Sequence, residues 1–177
     1  MTIKTMVRIT TFSTLIAISA FISVPAGIFG VSFTMQTFMI LLIGLLLNYK
    51  ESFLSVLIYI LVGLIGAPVF SNFNSGPAAI ISPTGGFIIA FLIVAPLISF
   101  FKSKNNNYFL NFSILFLFGF ILLYIIGGIH YSIITNTNLA DVYFKLFLPF
   151  YFWDIIKIIF ALIFYNFIPK ELFENIK

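Results

Sequence analysis

The sequence contains no cysteine, one histidine, one tryptophan and few charged residues. Without cysteine the chain can form no disulfide, no thiolate metal site and no cysteine nucleophile. Charged residues make up 8% of the chain, whereas soluble domains carry roughly 25%. So little charge cannot cover a globular surface with polar groups. The outer face of the folded chain is therefore predicted to contact the lipid bilayer.

Motifs for enzymatic chemistry are also missing. The sequence has no Walker A phosphate-binding loop, no G-x-S-x-G, no H-E-x-x-H and no carboxylate cluster. The chain is therefore predicted not to be an enzyme, and an active transporter built on it would need an energised partner. The nine basic residues are scattered and form no patch, which argues against nucleic-acid binding.

Apolar sequence is abundant, because hydrophobic residues make up 62% of the chain and the mean hydropathy is +1.18. A helix needs ~20 apolar residues to cross a bilayer. Six segments approach that length, which predicts an all-α integral membrane protein with six transmembrane helices in a single domain, 1–177. The segments are 7–24, 34–47, 52–66, 86–101, 111–130 and 146–168.

The distribution of basic residues predicts the orientation, since Lys and Arg favour cytoplasmic loops. With the N-terminus inside, seven of the nine basic residues lie on the inner side. Of the other two, Lys145 lies in an outer loop and Lys157 within the last helix. Both termini are therefore predicted to be cytoplasmic, in a multi-pass protein of the cell (plasma) membrane.

The loop between the third and fourth helices, residues 67–85, is predicted to lie outside and contains no charged residue. Long loops in compact domains are usually functional or disordered. Disordered segments avoid side chains such as Phe70, Phe73, Ile80 and Ile81. This loop is therefore predicted to fold back onto the helices as a lid, and the first outer loop, 25–33, has the same character.

Two charged residues, Asp154 and Lys157, lie within the last apolar segment. Each charge near the bilayer centre costs ~2.5–3.5 kcal/mol on insertion scales. Their i, i+3 spacing puts them on one helix face, where they can pair. One interpretation is a pair that only neutralises itself and fixes helix packing. The other is a ligand anchor under the outer loops, in which Lys157 binds an anionic group and Asp154 accepts from N–H donors.

Further candidate substrate contacts lie where helices begin at the outer side. Thr34, Gln36 and Thr37 open the second helix, although Thr34 or Ser32 could equally serve as its N-cap. Thr84 and Gly86 belong to the turn P-T-G-G before the fourth helix, where glycine permits close backbone approach.

The third loop offers two asparagines, Asn72 and Asn74. Their amides could donate to and accept from a ligand. Loop asparagines also commonly form turns, so the sequence leaves both roles open.

The first helix contains Ser13 and Ala17, four residues apart. Small residues at this spacing let two helices approach closely. They could pack against another helix of this chain or dock another membrane subunit.

Three blocks of the sequence each match part of the pattern of a known protein family. The first, 31–47, reads V-S-F-T-M-Q-T-F-M-I-L-L-I-G-L-L-L, and the second, 59–70, reads Y-I-L-V-G-L-I-G-A-P-V-F and continues to S-P-T-G-G-F at 82–87. The third, 148–157, reads L-P-F-Y-F-W-D-I-I-K. In this order and spacing they resemble the BioY family, the biotin-specific S components of energy-coupling-factor (ECF) transporters, whose patterns are close to V-P-F-T-x-Q-T and P-F-x-x-x-D-x-x-K.

The resemblance implies a six-helix S-component fold that captures biotin near the outer face. Biotin would be a transported substrate and no cofactor is implied. The implied partners are a membrane coupling protein, which the first helix would face, and two ATPase subunits. The family's Asp and Lys fall on Asp154 and Lys157, its loop asparagine falls on Asn72 or Asn74, and Phe33 in the first block is taken as a further substrate contact.

Two positions depart from the family pattern. Ser32 replaces the usual proline before F-T. Some members also carry an arginine shortly after P-T-G-G, whereas residues 87–101 contain none. The resemblance therefore leaves one cation fewer for the biotin carboxylate and makes Lys157 more important.

Other functions remain open on the residues alone. An S component for a different vitamin would share the topology but bind another ligand. An intramembrane enzyme would have to work with one acid, one lysine and one distant histidine. A structural or channel subunit would use the Asp–Lys pair only for packing and would bind no ligand saturably.

Overall fold

The computed structural model describes residues 2–25, 32–103, 105, 107–146 and 148–169. Most of these residues are helical, and six long helices correspond in position to the six apolar segments. The helices are α1 (Ile3–Phe21), α2 (Gln36–Leu46), α3 (Tyr49–Leu64), α4 (Gly76–Ile81), α5 (Gly85–Phe101), α6 (Tyr108–Thr135), α7 (Leu139–Asp141) and α8 (Leu148–Phe167).

The chain departs from the all-α prediction in one detail. Two short strands, β1 (Ser23–Pro25) and β2 (Ser32–Thr34), pair antiparallel with Val24 opposite Phe33. The chain leaves α1 in an extended conformation, and each strand supplies hydrogen-bond partners for the other's backbone. Beyond β2, a single residue precedes α2, so the strand brings Phe33 and Thr34 to the N-terminal end of that helix.

The third loop contains secondary structure of its own. A 3₁₀ turn at Ser71–Phe73 is followed by α4, which packs against α5. Gly85 follows this helix where the chain turns back, and a Cβ there would lie 1.9 Å from the Ile80 carbonyl oxygen. The loop is folded onto the helices, as its apolar composition predicts.

α5 lies at the centre of the bundle, in contact with α2, α3 and α6. Small residues permit these close contacts. A Cβ on Gly44 of α2 would lie 2.6 Å from the Ile98 side chain of α5. A Cβ on Gly119 of α6 would lie 2.1 Å from Leu41. The two glycines therefore bring α2, α5 and α6 close together.

Polar contacts hold the ends of the helices opposite the β hairpin. Lys102, just after α5, donates from Nζ to the carbonyl oxygens of Leu45 and Leu47 (2.6 and 2.7 Å). These carbonyls belong to the end of α2, where backbone acceptors lack helical partners. Arg8 of α1 pairs with Glu51 of α3 at 3.5 Å. The contacts join four helices at one end of the bundle.

Within the described ranges, two helices, α6 and α8, are long and apolar enough to cross a membrane on length and composition. α2 and α5 are apolar but shorter. The surface of the bundle exposes many large apolar side chains, among them Leu117 of α6 and Phe160 and Phe164 of α8. Such a surface suits a lipid environment.

Candidate functional site

A cavity lies at the end of the bundle where the β hairpin and the third loop meet. The space between its walls, including the open mouth, is about 600 Å³. Strand β2 and the helices α2, α5, α6 and α8 all contribute side chains. The polar lining residues are Ser32, Thr34, Gln36, Thr37, Ser71, Thr84, Asp154 and Lys157, and the aromatic ones are Phe33, Phe87, Phe91, Tyr124 and Phe150.

Six of the nine substrate contacts predicted from the sequence line this one cavity, although they come from four separate elements. These residues are spread along most of the chain. The six are Phe33, Thr34, Gln36, Thr84, Asp154 and Lys157.

The other three predicted contacts lie beside the cavity and do not line it. Asn72 in the third loop exchanges hydrogen bonds with Ser32, at 3.1 and 3.3 Å. Asn74 is exposed at the end of the 3₁₀ turn. Gly86 packs α5 against α6, since a Cβ there would lie 2.4 Å from the His130 Cβ. Asn72 therefore joins β2 to the third loop, and Gly86 supports the cavity wall.

The charged centre of the cavity is the ion pair within α8. Lys157 donates from Nζ to Asp154 Oδ1 at 2.7 Å and to Thr37 Oγ1 at 2.8 Å. The side chains of Asp154 and Lys157 are 9% and 13% exposed. Thr37 in turn donates to the Thr34 carbonyl at 3.4 Å. The ammonium group is thus held between α8 and the first turn of α2, with its third N–H available for another acceptor.

Asp154 has a second partner that the sequence did not indicate. The Tyr124 hydroxyl of α6 donates to Asp154 Oδ2 at 2.5 Å. A tyrosine within an apolar segment is unremarkable in a membrane helix, and the two residues lie 30 positions apart. Thr37 stands beside Gln36 at the start of α2, but the sequence gave no sign that its hydroxyl would accept from Lys157, 120 residues away.

Gln36 contacts both the cavity and the protein interior. Its side-chain nitrogen donates to the Tyr59 hydroxyl of α3 at 2.5 Å. Gln36 is 4% exposed, so this bond is shielded from water. Part of the hydrogen-bonding capacity of this amide is therefore used to fix α2 against α3.

Aromatic rings form much of the remaining lining. Phe33 of β2 stacks on Phe150 of α8 with ring centroids 4.1 Å apart, and Trp153 lies edge-on to Phe33 at 6.3 Å. Phe87 of α5 meets Tyr124 edge-on at 5.8 Å. The cavity lining is mostly apolar and includes one charged pair and several hydroxyl groups. That composition suits a small, mostly apolar ligand with a few polar groups.

Comparison with known proteins identifies the family of this chain. A model of the BioY family matches residues 1–173. The chain belongs to the BioY family. Among its BioY relatives, the biotin transporter BioY2 of Lactococcus lactis subsp. cremoris is 35% identical, with 85% of this chain and 81% of the relative covered. A probable biotin transporter BioY of Pyrococcus horikoshii is 37% identical, with 82% and 84% covered.

A solved structure extends the comparison to the fold of the BioY chain. The S component for biotin from an ECF-type ABC transporter superposes with a TM-score of 0.82 at 30% sequence identity. The superposition covers 93% of this chain and 89% of the other. The S-component fold expected from the sequence is therefore confirmed.

The predicted docking residues of the first helix differ in their exposure in this BioY chain. Ser13 is buried at 7% exposure, whereas Ala17 is half-buried and packs beside the core. Thr10 and Thr14 are exposed on the same side of the helix as Ala17. Ser13 thus packs within the chain, whereas Thr10 and Thr14 are exposed on the helix surface beside Ala17.

Proposed function

We propose that this chain is the substrate-capture subunit of an ECF-type importer and that it binds biotin in the cavity at the outer face. Membership of the BioY family supports the transporter role. The observation that favours a ligand site over a packing role for the charged pair is its position. Asp154 and Lys157 contact residues of α6 and α2, but they also line a cavity that opens at this end of the bundle.

The chemistry of biotin fits this cavity. Biotin has an apolar bicycle, a ureido group that donates and accepts hydrogen bonds, and a carboxylate at the end of a flexible chain. The rings of Phe33 and Phe150 offer an apolar surface for the bicycle. The hydroxyl groups of Thr34 and Thr84 and the amide of Gln36 offer polar contacts.

We propose that the Lys157 ammonium group binds the carboxylate and that Asp154 accepts a hydrogen bond from a ureido N–H. The ammonium group has one donor beyond its contacts with Asp154 and Thr37. A carboxylate has about four lone-pair sites, of which Tyr124 and Lys157 use two. Both charged groups can thus contact a ligand without first breaking their pair. The lid would be shaped by Asn72 and Asn74, and the cavity wall would be shaped by Gly86.

The six long helices are proposed to be six spans with both termini in the cytoplasm. The natural chain has no cysteine, so single cysteines can be introduced at Asn74 and at Lys104, the latter outside the described residues. We expect a membrane-impermeant thiol reagent to label position 74 in intact cells and position 104 only after permeabilisation, because basic residues favour the cytoplasmic side. Labelling of position 104 in intact cells would contradict this orientation.

The chain is proposed to depend on a membrane coupling protein and two ATPases, with the exposed face of α1 containing Thr10, Thr14 and Ala17 as the docking surface. Since the sequence has no phosphate-binding loop, vesicles containing only this chain are expected to show no ATP-driven accumulation of biotin. Vesicles that also contain the coupling protein and ATPases should accumulate it. ATP-dependent uptake by the chain alone would contradict the proposal.

The ligand can be identified without assuming in advance that it is biotin. Small molecules that co-purify with the chain from cells grown in a mixture of vitamins would be released and identified by mass spectrometry. Biotin at close to one equivalent is the expected result. A different vitamin would preserve the transporter role but contradict the substrate, and no small molecule together with no saturable binding would favour a structural subunit.

A further inference from the structure

Tyr124 makes a contact that the proposed roles of Asp154 and Lys157 leave unexplained. Its hydroxyl donates to Asp154 Oδ2 at 2.5 Å, while Lys157 donates to Oδ1 of the same carboxylate at 2.7 Å. Tyr124 and Asp154 are 6% and 7% exposed. The carboxylate is therefore held from two sides, by a cation on its own helix and by a neutral donor on α6.

The position of the Tyr124 hydroxyl is fixed by the rings around it. Phe87 of α5 packs edge-on at 5.8 Å, Phe120 of the same helix lies at 5.1 Å, and Tyr151 of α8 packs edge-on at 5.2 Å. The tyrosine ring thus contacts residues from three helices. A ring enclosed in this way has few alternative rotamers, so its hydroxyl can serve as a rigid reference point for the Asp154 carboxylate.

Without that hydroxyl, the carboxylate would keep only the partner on its own helix. Asp154 and Lys157 lie one helical turn apart and already pair at 2.7 Å. Rotation of the carboxylate toward Lys157 would bring both oxygens near the ammonium group. It would also turn the remaining acceptor sites away from the cavity and direct the ammonium group away from a bound anion.

We propose that Tyr124 is a positioning residue that acts through Asp154. Its hydroxyl keeps one carboxylate oxygen directed away from Lys157, so that Asp154 presents an acceptor to the ligand and Lys157 keeps a donor for the ligand's anionic group. This proposal rests on the proposed function, because it concerns the same ligand site.

The test is a double-mutant cycle on the purified full chain, with radiolabelled biotin as the probe. Tyr124→Phe removes only the hydroxyl and keeps the ring. We expect it to weaken biotin binding by ~tenfold or more, the loss typical of one hydrogen bond to a charged group. In an Asp154→Ala background the same substitution should change the affinity by less than about threefold, because the group through which it acts is gone.

Tyr151→Phe is the matched control. Tyr151 belongs to the same ring cluster, but its hydroxyl donates to the Tyr143 carbonyl at 3.2 Å and it does not line the cavity. We expect wild-type affinity for this variant. Thermal unfolding and monodisperse elution, measured for every variant, separate a folded protein with an altered site from a misfolded one.

Three results would contradict either the role of Tyr124 or the proposed function. Full affinity in Tyr124→Phe would overturn the role of Tyr124 while leaving the proposed function intact. An equal loss in the wild-type and Asp154→Ala backgrounds would also overturn it, because Tyr124 would then act independently of Asp154. Absence of biotin binding by the folded wild type would instead contradict the proposed function itself.

Discussion

Lys157→Ala is expected to weaken biotin binding by at least ~30-fold. Lys157 donates to Asp154 and Thr37 and has a further donor for the ligand carboxylate. Truncating one member of a buried charged contact costs ~2–5 kcal/mol, and ~1.4 kcal/mol corresponds to a tenfold change in affinity. Equilibrium binding of radiolabelled biotin to purified, detergent-solubilised variants measures this directly.

Two comparisons separate a carboxylate contact from a general loss of structure. Biotin amide, which lacks the negative charge, should bind the wild type much more weakly than biotin does but should distinguish little between wild type and Lys157→Ala. Lys102→Ala removes another largely buried lysine, which donates to backbone carbonyls at the other end of the bundle. It should lower the thermal stability and leave the biotin affinity unchanged.

Normal affinity in a folded Lys157→Ala variant would mean that the Asp–Lys pair is structural. Equal penalties for the amide in wild type and variant would remove Lys157 from the carboxylate specifically. Another donor would then have to bind the carboxylate, such as a backbone N–H of the third loop.

Replacing both members of the pair with apolar residues is expected to separate stability from binding. Asp154→Leu alone should destabilise the protein by ~3–5 kcal/mol, because Lys157 would be left without its counter-ion in a largely buried site. The double variant Asp154→Leu/Lys157→Met should recover most of that loss, since apolar replacements of buried ion pairs are often neutral or stabilising. Despite its stability, it should bind no measurable biotin.

Thermal unfolding and biotin binding would be measured on the same three samples: wild type, single variant and double variant. If the double variant binds biotin with wild-type affinity, the pair does not contact the ligand. If the double variant is no more stable than Asp154→Leu alone, the destabilisation does not come from the unpaired ammonium group.

The long helices were predictable because their physical cause lies in the local sequence. Runs of apolar residues interrupted by short polar segments give the positions of α1, α5 and α6 with small errors at their ends. The β hairpin was not predictable in the same way. Its strands have three residues each and depend on pairing with one another, and a three-residue segment is too short to show an alternating pattern.

The charged part of the site was predictable because charge is rare in a membrane helix. Asp154 and Lys157 stand out in an apolar segment and have an evident spacing. Tyr124 and Thr37 have no such signal, because uncharged hydroxyl groups are common in apolar helices. Their role arises only from contacts across 30 and 120 residues of sequence, which no local pattern encodes.

Glycine and asparagine show a different limit on what the sequence can predict about a site. Gly86 and Asn72 were predicted as ligand contacts because glycine allows close approach and asparagine offers polar groups. Both properties are used within the protein, by Gly86 against His130 and by Asn72 with Ser32. The residue type could not indicate these internal partners, because they depend on which helices and loops become neighbours. A ligand contact at either residue stays a prediction.

The most direct test of the proposed binding mode is a structure of this chain with biotin bound. We expect the biotin carboxylate to lie at hydrogen-bonding distance from Lys157 Nζ, roughly 2.7–2.9 Å. We also expect a ureido N–H to donate to Asp154 and the bicycle to pack against Phe33 and Phe150. Biotin bound elsewhere, or in this cavity with its carboxylate remote from Lys157 and the Asp–Lys pair untouched, would contradict this binding mode.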